Sequence, residues 1–243
     1  MSASSPDPVL RDDIGYEVSA RWIGAGRLSV VDLKRLLDLH LANLQKGLGA
    51  GESDGVFLRS FSALHLALLV TRDARQPFLV EADFRALVTA VVKLLKEERD
   101  RRGWVEGKGW AHPIAHAADL AKFLARNHFL DPDQAALLFT GLESGLDGPN
   151  AWGENDRLAA AAQSLLPSEV FDPELFDARC AVWVQEAAAV WQTKPFDAPS
   201  FRRSENRKQF LRALYVRLCA GQEHDEARTL LAQRALDALT KMP

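Results

Sequence analysis

Cysteine is nearly absent: Cys180 and Cys219 are the only two in 243 residues. They lack the spacing of a metal site, and each sits in an apolar helical context. Buried free thiols in a reducing compartment are therefore expected. Long apolar runs are missing as well. The longest candidate, Ala63 to Val70, is interrupted by His65 and ends at Thr71-Arg72-Asp73, far short of the roughly 18 residues a membrane span needs. Met1 to Pro8 has neither the basic start nor the apolar centre of a signal peptide. A cytoplasmic protein with no membrane partner is the expectation. Charge of one sign is not in excess, since 30 basic residues face 33 acidic ones for a net −3. That balance argues against a general nucleic-acid binder. No Gly-x-Ser-x-Gly elbow, Walker loop or Rossmann glycine pattern occurs, which removes the commonest nucleophile and nucleotide signatures. Sustained two-residue alternation is lacking too, so strands are not expected.

What is present is helical periodicity with clear start and stop signals. Asp7 precedes Pro8 and opens a helix to about Ile23, with Ile14, Val18 and Trp22 among its apolar positions. Ser29 caps a second helix carrying Leu33, Leu36, Leu37, Leu41 and Leu44 toward the core, closed by Gly47 to Gly51. A third, about Gly55 to Arg72, is apolar nearly all round and must be enclosed by neighbours; Arg59, Ser60, Ser62 and His65 are its polar exceptions. The fourth runs from near Val80 to Asp100 on a stripe of Phe84, Leu87, Val91, Leu94 and Leu95, and the charge run Lys96 to Arg102 reads as its solvated end. The fifth starts at His112-Pro113 and ends near Asn127. Asp131-Pro132 and Asp172-Pro173, each a cap followed by proline at the first helical position, open the sixth and eighth. The seventh spans about Gly153 to Leu166. After a loop at Pro195 to Ser200, a ninth helix runs from about Ser204 to Cys219 and a tenth from about Asp225 to Lys241.

Ten helices form five hairpins whose first members recur about every 45 to 55 residues, near or slightly above the spacing of HEAT and armadillo units. The expected fold is all-α: a right-handed α/α superhelix of about five helical hairpins, HEAT/armadillo-like, or a partly closed α/α toroid. One helical-repeat domain over 1–243 follows, with 1–7 as a flexible N-terminus.

The densest stretch of unusual residues is Arg101 to Leu120, which holds two tryptophans, three closely spaced glycines and two histidines. Gly103, Gly107 and Gly109 break the preceding helix, and Pro113 is tolerated only in a first turn. His112 therefore sits at the N-cap and His116 one turn in, on the same face, with Asp119 near them. The helix dipole favours neutral imidazoles there, suited to act as base, hydrogen-bond partner or metal ligand. The Glu of His-Glu-x-x-His is missing, so zinc-protease chemistry is not supported. The bland alternative is a pair of capping histidines with Trp104 and Trp110 as core anchors.

The unusual chemistry sits on the odd-numbered helices. They carry Asp12, Asp13, Tyr16, Arg21 and Trp22; Arg59, Ser60 and His65; His112, His116 and Asp119; Glu154, Asp156 and Arg157; and Asn206, Arg207, Phe210, Arg212 and Tyr215. If these helices line the concave side of a solenoid, their polar starts lie along one rim, where free N–H groups favour an anion or carboxylate. Caps and solvated first turns explain the same residues without a ligand. The basic segment Ser204 to Arg217 has a phosphate reading and an ordinary amphipathic one, with Phe210, Leu211, Leu214, Tyr215 and Leu218 as core.

Gly109-Trp110-Ala111-His112 through His116-Ala117-Ala118-Asp119-Leu120, with Gly153-Glu154-Asn155-Asp156-Arg157-Leu158-Ala159 and Phe210-Leu211-Arg212-Ala213-Leu214-Tyr215, resembles the domain-of-unknown-function family number 2785, bacterial proteins without an assigned activity. The resemblance covers most of the chain and implies no reaction.

The leading expectation is a groove that binds a small-molecule or peptide ligand through Trp110, His112, His116, Glu154, Asp156, Arg157, Asn206 and Arg207. As an enzyme, His116, Glu154 and Asp156 are the catalytic candidates. No cofactor is expected; if a divalent metal binds, His112, His116 and Asp119 are its candidate ligands. Nucleic-acid binding through the groove is the third reading.

Overall fold

The computed structural model describes residues 4–220 and 225–243. Among them are ten α-helices and one two-stranded hairpin: α1 (Glu17–Gly24, preceded by a π-helical segment Val9–Tyr16), α2 (Val30–Gln45), α3 (Gly55–Arg75), α4 (Glu81–Glu97), β1 (Trp104–Val105), β2 (Gly109–Trp110), α5 (Pro113–Leu124), α6 (Pro132–Gly145), α7 (Glu154–Leu165), α8 (Pro173–Val190), α9 (Ala198–Cys219) and α10 (Glu226–Lys241). The fold is all-α.

The helices begin where local chemistry says they should. Ser29, Asp131, Asp172 and Asp225 accept hydrogen bonds from first-turn N–H groups of α2, α6, α8 and α10. The π-helical segment is held by Asp7, whose carboxylate accepts from Val9 N–H at 2.9 Å. Residues 1–3 of the expected N-terminal tail lie outside the described residues; within 4–7, the Ser5 and Pro6 carbonyls accept from the Arg11 guanidinium.

Helices α1, α3, α5, α7 and α9 pack in series, each against the next. Helices α2, α4 and α6 make a second series, and α8 and α10 contact each other and α9. Side chains from all ten helices meet in one large apolar cluster, from Ile23 and Leu33 to Ala238 and Met242. Helix α3 is the enclosed one. In length and composition it could cross a membrane, but most of it is buried inside the protein. Each of its polar exceptions has a partner. Arg59 donates to both carboxylate oxygens of Glu98 and to the Lys46 carbonyl, Ser62 meets His40 Nδ1 at 3.1 Å, and His65 Nδ1 meets the Phe61 carbonyl at 2.7 Å.

Four expectations need correction. A short antiparallel hairpin pairs Trp104 with Trp110 and Val105 with Gly109; two-residue strands are too short to show alternation. The charge run after α4 is not a solvated helix end. Glu98 and Asp100 are buried, Glu98 against Arg59 and Asp100 against Arg102 and the Ser53 N–H. Helix α9 starts at Ala198, because Asp197 caps it and Pro199 stands in its first turn, where proline is permitted. Of the two free cysteines, Cys180 is buried, with burial pushing its thiol up to about 12, but Cys219 is exposed. In the first helix the apolar positions Ile14, Val18 and Trp22 face outward, while Arg11, Gly15 and Ile23 form its buried side.

Candidate functional site

The start of α5 is built by a conflict between a proline and a hairpin. Pro113 disfavours the right-handed conformation in the residue before it. His112 answers with a left-handed backbone, φ 49° and ψ 44°, the one non-glycine residue with positive φ among those described. Its N–H donates to the Arg102 carbonyl and Ala111 N–H to that of Gly103, so the hairpin ladder runs straight into the helix cap. A left-handed conformation outside glycine costs about 1 kcal/mol or more and persists only where its surroundings fix it.

Around His112 the aromatic side chains converge. Its ring stacks on Trp110 at a centroid distance of 4.6 Å. Trp110 meets Trp104 edge-on at 5.3 Å and Trp152 edge-on at 5.9 Å. The three indoles are 45%, 41% and 47% exposed for Trp104, Trp110 and Trp152, which rules out their role as core anchors. Trp152 packs over Gly103 so closely that a Cβ there would lie 2.2 Å from its ring. Its carbonyl accepts from His112 Nε2–H at 2.9 Å, and its N–H donates to Glu154 at 2.8 Å. Glu154, buried at the start of α7, brings its other carboxylate oxygen to 3.5 Å from His112 Nε2. Gly153, at φ 90°, makes the turn that permits this.

His116 lies one turn further in, 6.0 Å from His112 between centroids and edge-on to Phe61 at 5.4 Å. Its Nδ1 is 2.7 Å from Ser60 Oγ. Ser60 Oγ–H donates to the Ala111 carbonyl. A hydroxyl has one proton to give, so Ser60 must accept from His116, and the imidazole carries its hydrogen on Nδ1. Nε2 is left as an acceptor with no hydrogen-bond partner among the described residues. Burial pushes the His116 pKa down to about 3, helped by the charges of His112, Arg157 and Arg11. The ring is neutral at physiological pH.

Asp119 completes the polar side. It accepts from Arg157 at 2.8 Å and Lys122 at 3.2 Å. Tyr16 reaches the same region from the first helical segment; burial, then the Asp119 charge, raises its pKa. Arg11 is fully buried over the Phe57 and Phe61 rings and ties that segment to the hairpin through the Lys108 carbonyl.

The structure thus brings together Trp110, His112, His116, Glu154 and Arg157, with Asp119 beside them. It does not bring Asp156, Asn206 or Arg207 to them. Asp156 pairs with Arg217 at 2.6 Å. Asn206 is buried and donates to the Leu146 and Gly148 carbonyls. Arg207 bonds Glu186 and lies over Trp183. Of the three candidate metal ligands, His112 Nε2 bonds the Trp152 carbonyl, His116 Nδ1 bonds Ser60, and Asp119 bonds Arg157 and Lys122. No group of three His, Cys, Asp or Glu among the described residues is placed to hold a metal ion. The basic segment of α9 is amphipathic, with Phe210, Leu211, Leu214 and Leu218 buried. The cavities between α8 and α10 and between α1 and α2 are lined by other residues, and the one beside Ser200 and Arg203 takes only Arg207 from the expected set. Sequence reasoning leaves out Trp152; it sets Ser60 and Tyr16 among the unusual residues of the odd-numbered helices but not among the ligand-binding ones. For Trp152 the usable signal was a tryptophan next to the glycine that opens a helix.

No match was found among curated proteins or among solved structures. Residues 44–216 match the family described as "Protein of unknown function (DUF2785)", a span of more than half the chain. That span contains α3 to α7 and so every residue of the imidazole–tryptophan cluster except Tyr16 and Arg11, and the chain belongs to this family.

Proposed function

We propose that the protein is a binding protein whose small-molecule or peptide ligand docks on the tryptophan–imidazole cluster where the β1–β2 hairpin meets the starts of α5 and α7. One observation carries this reading: Trp104, Trp110 and Trp152, each exposed by more than two-fifths, gather around a strained His112 beside an imidazole with an open acceptor. Large aromatic surface held in water next to unspent polar groups is the composition of a binding site. A ligand with a flat or apolar part lies against the indoles. It donates a hydrogen bond to His116 Nε2 and meets the half-exposed Arg157.

The ring's pKa, pushed down to about 3, supports binding over catalysis in this reading. A general base works best with a pKa near the operating pH; one this weak serves better as a fixed acceptor. The hydrolase reading is therefore second, and its candidate Asp156 is tied to Arg217 on another side. Nucleic-acid binding is weaker still, because Arg207, Lys208 and Arg217 are spent on Glu186, Glu205 and Asp156.

We place this site on one helical-repeat domain spanning 1–243, wound as a right-handed HEAT- or armadillo-like superhelix or a partly closed toroid, with the odd-numbered helices lining its concave side. The serial contacts of α1, α3, α5, α7 and α9 support that arrangement. Two cysteines without a disulfide fit a cytoplasmic location.

The test is a thermal-shift screen of amino acids, short peptides, nucleotides and sugars, followed by tryptophan fluorescence titration of each hit. The reading expects a hit that perturbs the fluorescence of the parent protein and loses most of its affinity in folded Trp110→Ala and His112→Ala variants. Hits that bind both variants unchanged contradict it.

A further inference from the structure

The first helical segment carries an apolar stripe on its free side. Leu10, Ile14, Val18 and Trp22 recur every fourth residue and so share a face. They are 45%, 50%, 39% and 49% exposed, while Arg11, Gly15 and Ile23 take the buried side against α3. At its Trp22 end the stripe opens into an apolar groove of about 570 Å³ between α1 and α2, lined by Trp22, Ile23, Leu28, Leu36 and Leu39. Helix α1 is also the end of the series α1, α3, α5, α7, α9. A terminal layer of stacked helices needs a polar outer face to stay in solution unassociated. This one carries an exposed apolar row there.

We infer that this face is a two-fold interface with a second copy of this chain, the two Val9–Gly24 segments lying antiparallel. The charges choose the occupant. Beside the apolar row runs an exposed row of Asp13, Glu17 and Arg21, acidic toward the N-terminus and basic toward the C-terminus, with Arg27 following. In an antiparallel helix pair each flanking row meets its own counterpart running the other way. Asp13 of each copy then stands beside Arg21 of the other, Glu17, which pairs with Arg21 of its own copy at 3.0 Å, stands at the two-fold beside its counterpart, and the apolar rows mesh along the seam. The same antiparallel placement carries Val9 and Leu10 of one copy to Trp22 of the other, at the mouth of the groove. Because one patch serves both copies, the contact closes at a dimer and does not propagate.

Sedimentation velocity on the full chain over a concentration series tests this, with circular dichroism to verify folding. The parent protein sediments as a dimer. Ile14→Glu, at an exposed position, weakens dimerisation by roughly 30-fold or more while its helix content is unchanged. Asp13→Arg and Arg21→Asp each weaken the dimer, and the two together restore it. A parent chain that stays monomeric at about 100 µM, including one that instead binds neutral lipid vesicles, overturns the inference. So does a dimer insensitive to Ile14→Glu. Failure of the double charge reversal to restore the dimer overturns the antiparallel arrangement.

Discussion

Two pairs of histidines sit on neighbouring parts of this molecule and have opposite fates. His40 and His65 stack at 4.5 Å with both residues buried, and their Nδ1 atoms face Ser62 Oγ and the Phe61 carbonyl. Burial, with His65 adding, pushes His40 down to about 3, and burial lowers His65 as well. His112 and His116 meet edge-on at 6.0 Å, and one of them stacks on an exposed indole. Both pairs contain neutral imidazole bonded to a serine of α3. The difference lies in what surrounds them. The first pair is closed on every side by apolar helices, and the second stands under a wall of tryptophans that water reaches. An unusual residue becomes a candidate for function through its unspent groups and its access.

The largest effect should come from the closed region. Arg59 and Glu98 are 1% and 0% exposed at their side chains and bonded to each other twice. Arg59→Ala leaves a buried carboxylate unpaired and is expected to cost about 3–5 kcal/mol in denaturant unfolding. Arg59→Met combined with Glu98→Leu should recover much of that loss, since no charge is then stranded. A double variant as unstable as the single one would show that packing, not the orphaned charge, dominates.

Acid comes next. The folded pKa values of His40, His65 and His116 lie below the ordinary 6.5. The unfolded chain takes up those protons as pH falls through 6.5, and the folded chain does not, so stability present at neutral pH drains away between pH 6.5 and about 3. His40→Gln, which keeps a partner for Ser62, should flatten the dependence of unfolding free energy on pH by about 1.4 kcal/mol per pH unit in that window. An unchanged slope would mean that His40 titrates normally.

The smallest effect belongs to the open region. Gly103→Ala sets a methyl against the Trp152 ring and should cost about 1–3 kcal/mol by overpacking. It should also move the Trp152 carbonyl that holds His112, and so change tryptophan fluorescence. Altered fluorescence with weakened ligand binding would tie the hairpin to the site; neither change would separate them.

The helix starts were legible because caps are local chemistry, as Ser29, Asp131 and Asp172 show. The start of α9 is instructive: Pro195 to Ser200 reads as loop, although a proline two residues after Asp197 is also a first-turn signal. The burial of Glu98 was illegible because its partner, Arg59, lies 39 residues away on another helix. The outward stripe of the first helix was hidden for a similar reason, since periodicity names a face but not the side on which a neighbour lies. Within the site, His112, His116, Glu154 and Arg157 stood out because they cluster at helix starts. Asp156 and Asn206 stood out for the same reason and are placed elsewhere. Ser60 stands out as a polar exception of α3, but its part in setting the tautomer of His116 is illegible because that histidine lies 56 residues away on another helix.

The most direct test of the central claim is the protonation of His116 itself, read by long-range proton–nitrogen NMR on histidine-labelled protein at about pH 5, below the ordinary histidine pKa. The account predicts a neutral ring protonated on Nδ1, with Nε2 resonating as a bare acceptor that shifts when a ligand binds. A ring protonated on both nitrogens at that pH, or a neutral ring carrying its hydrogen on Nε2, would contradict it.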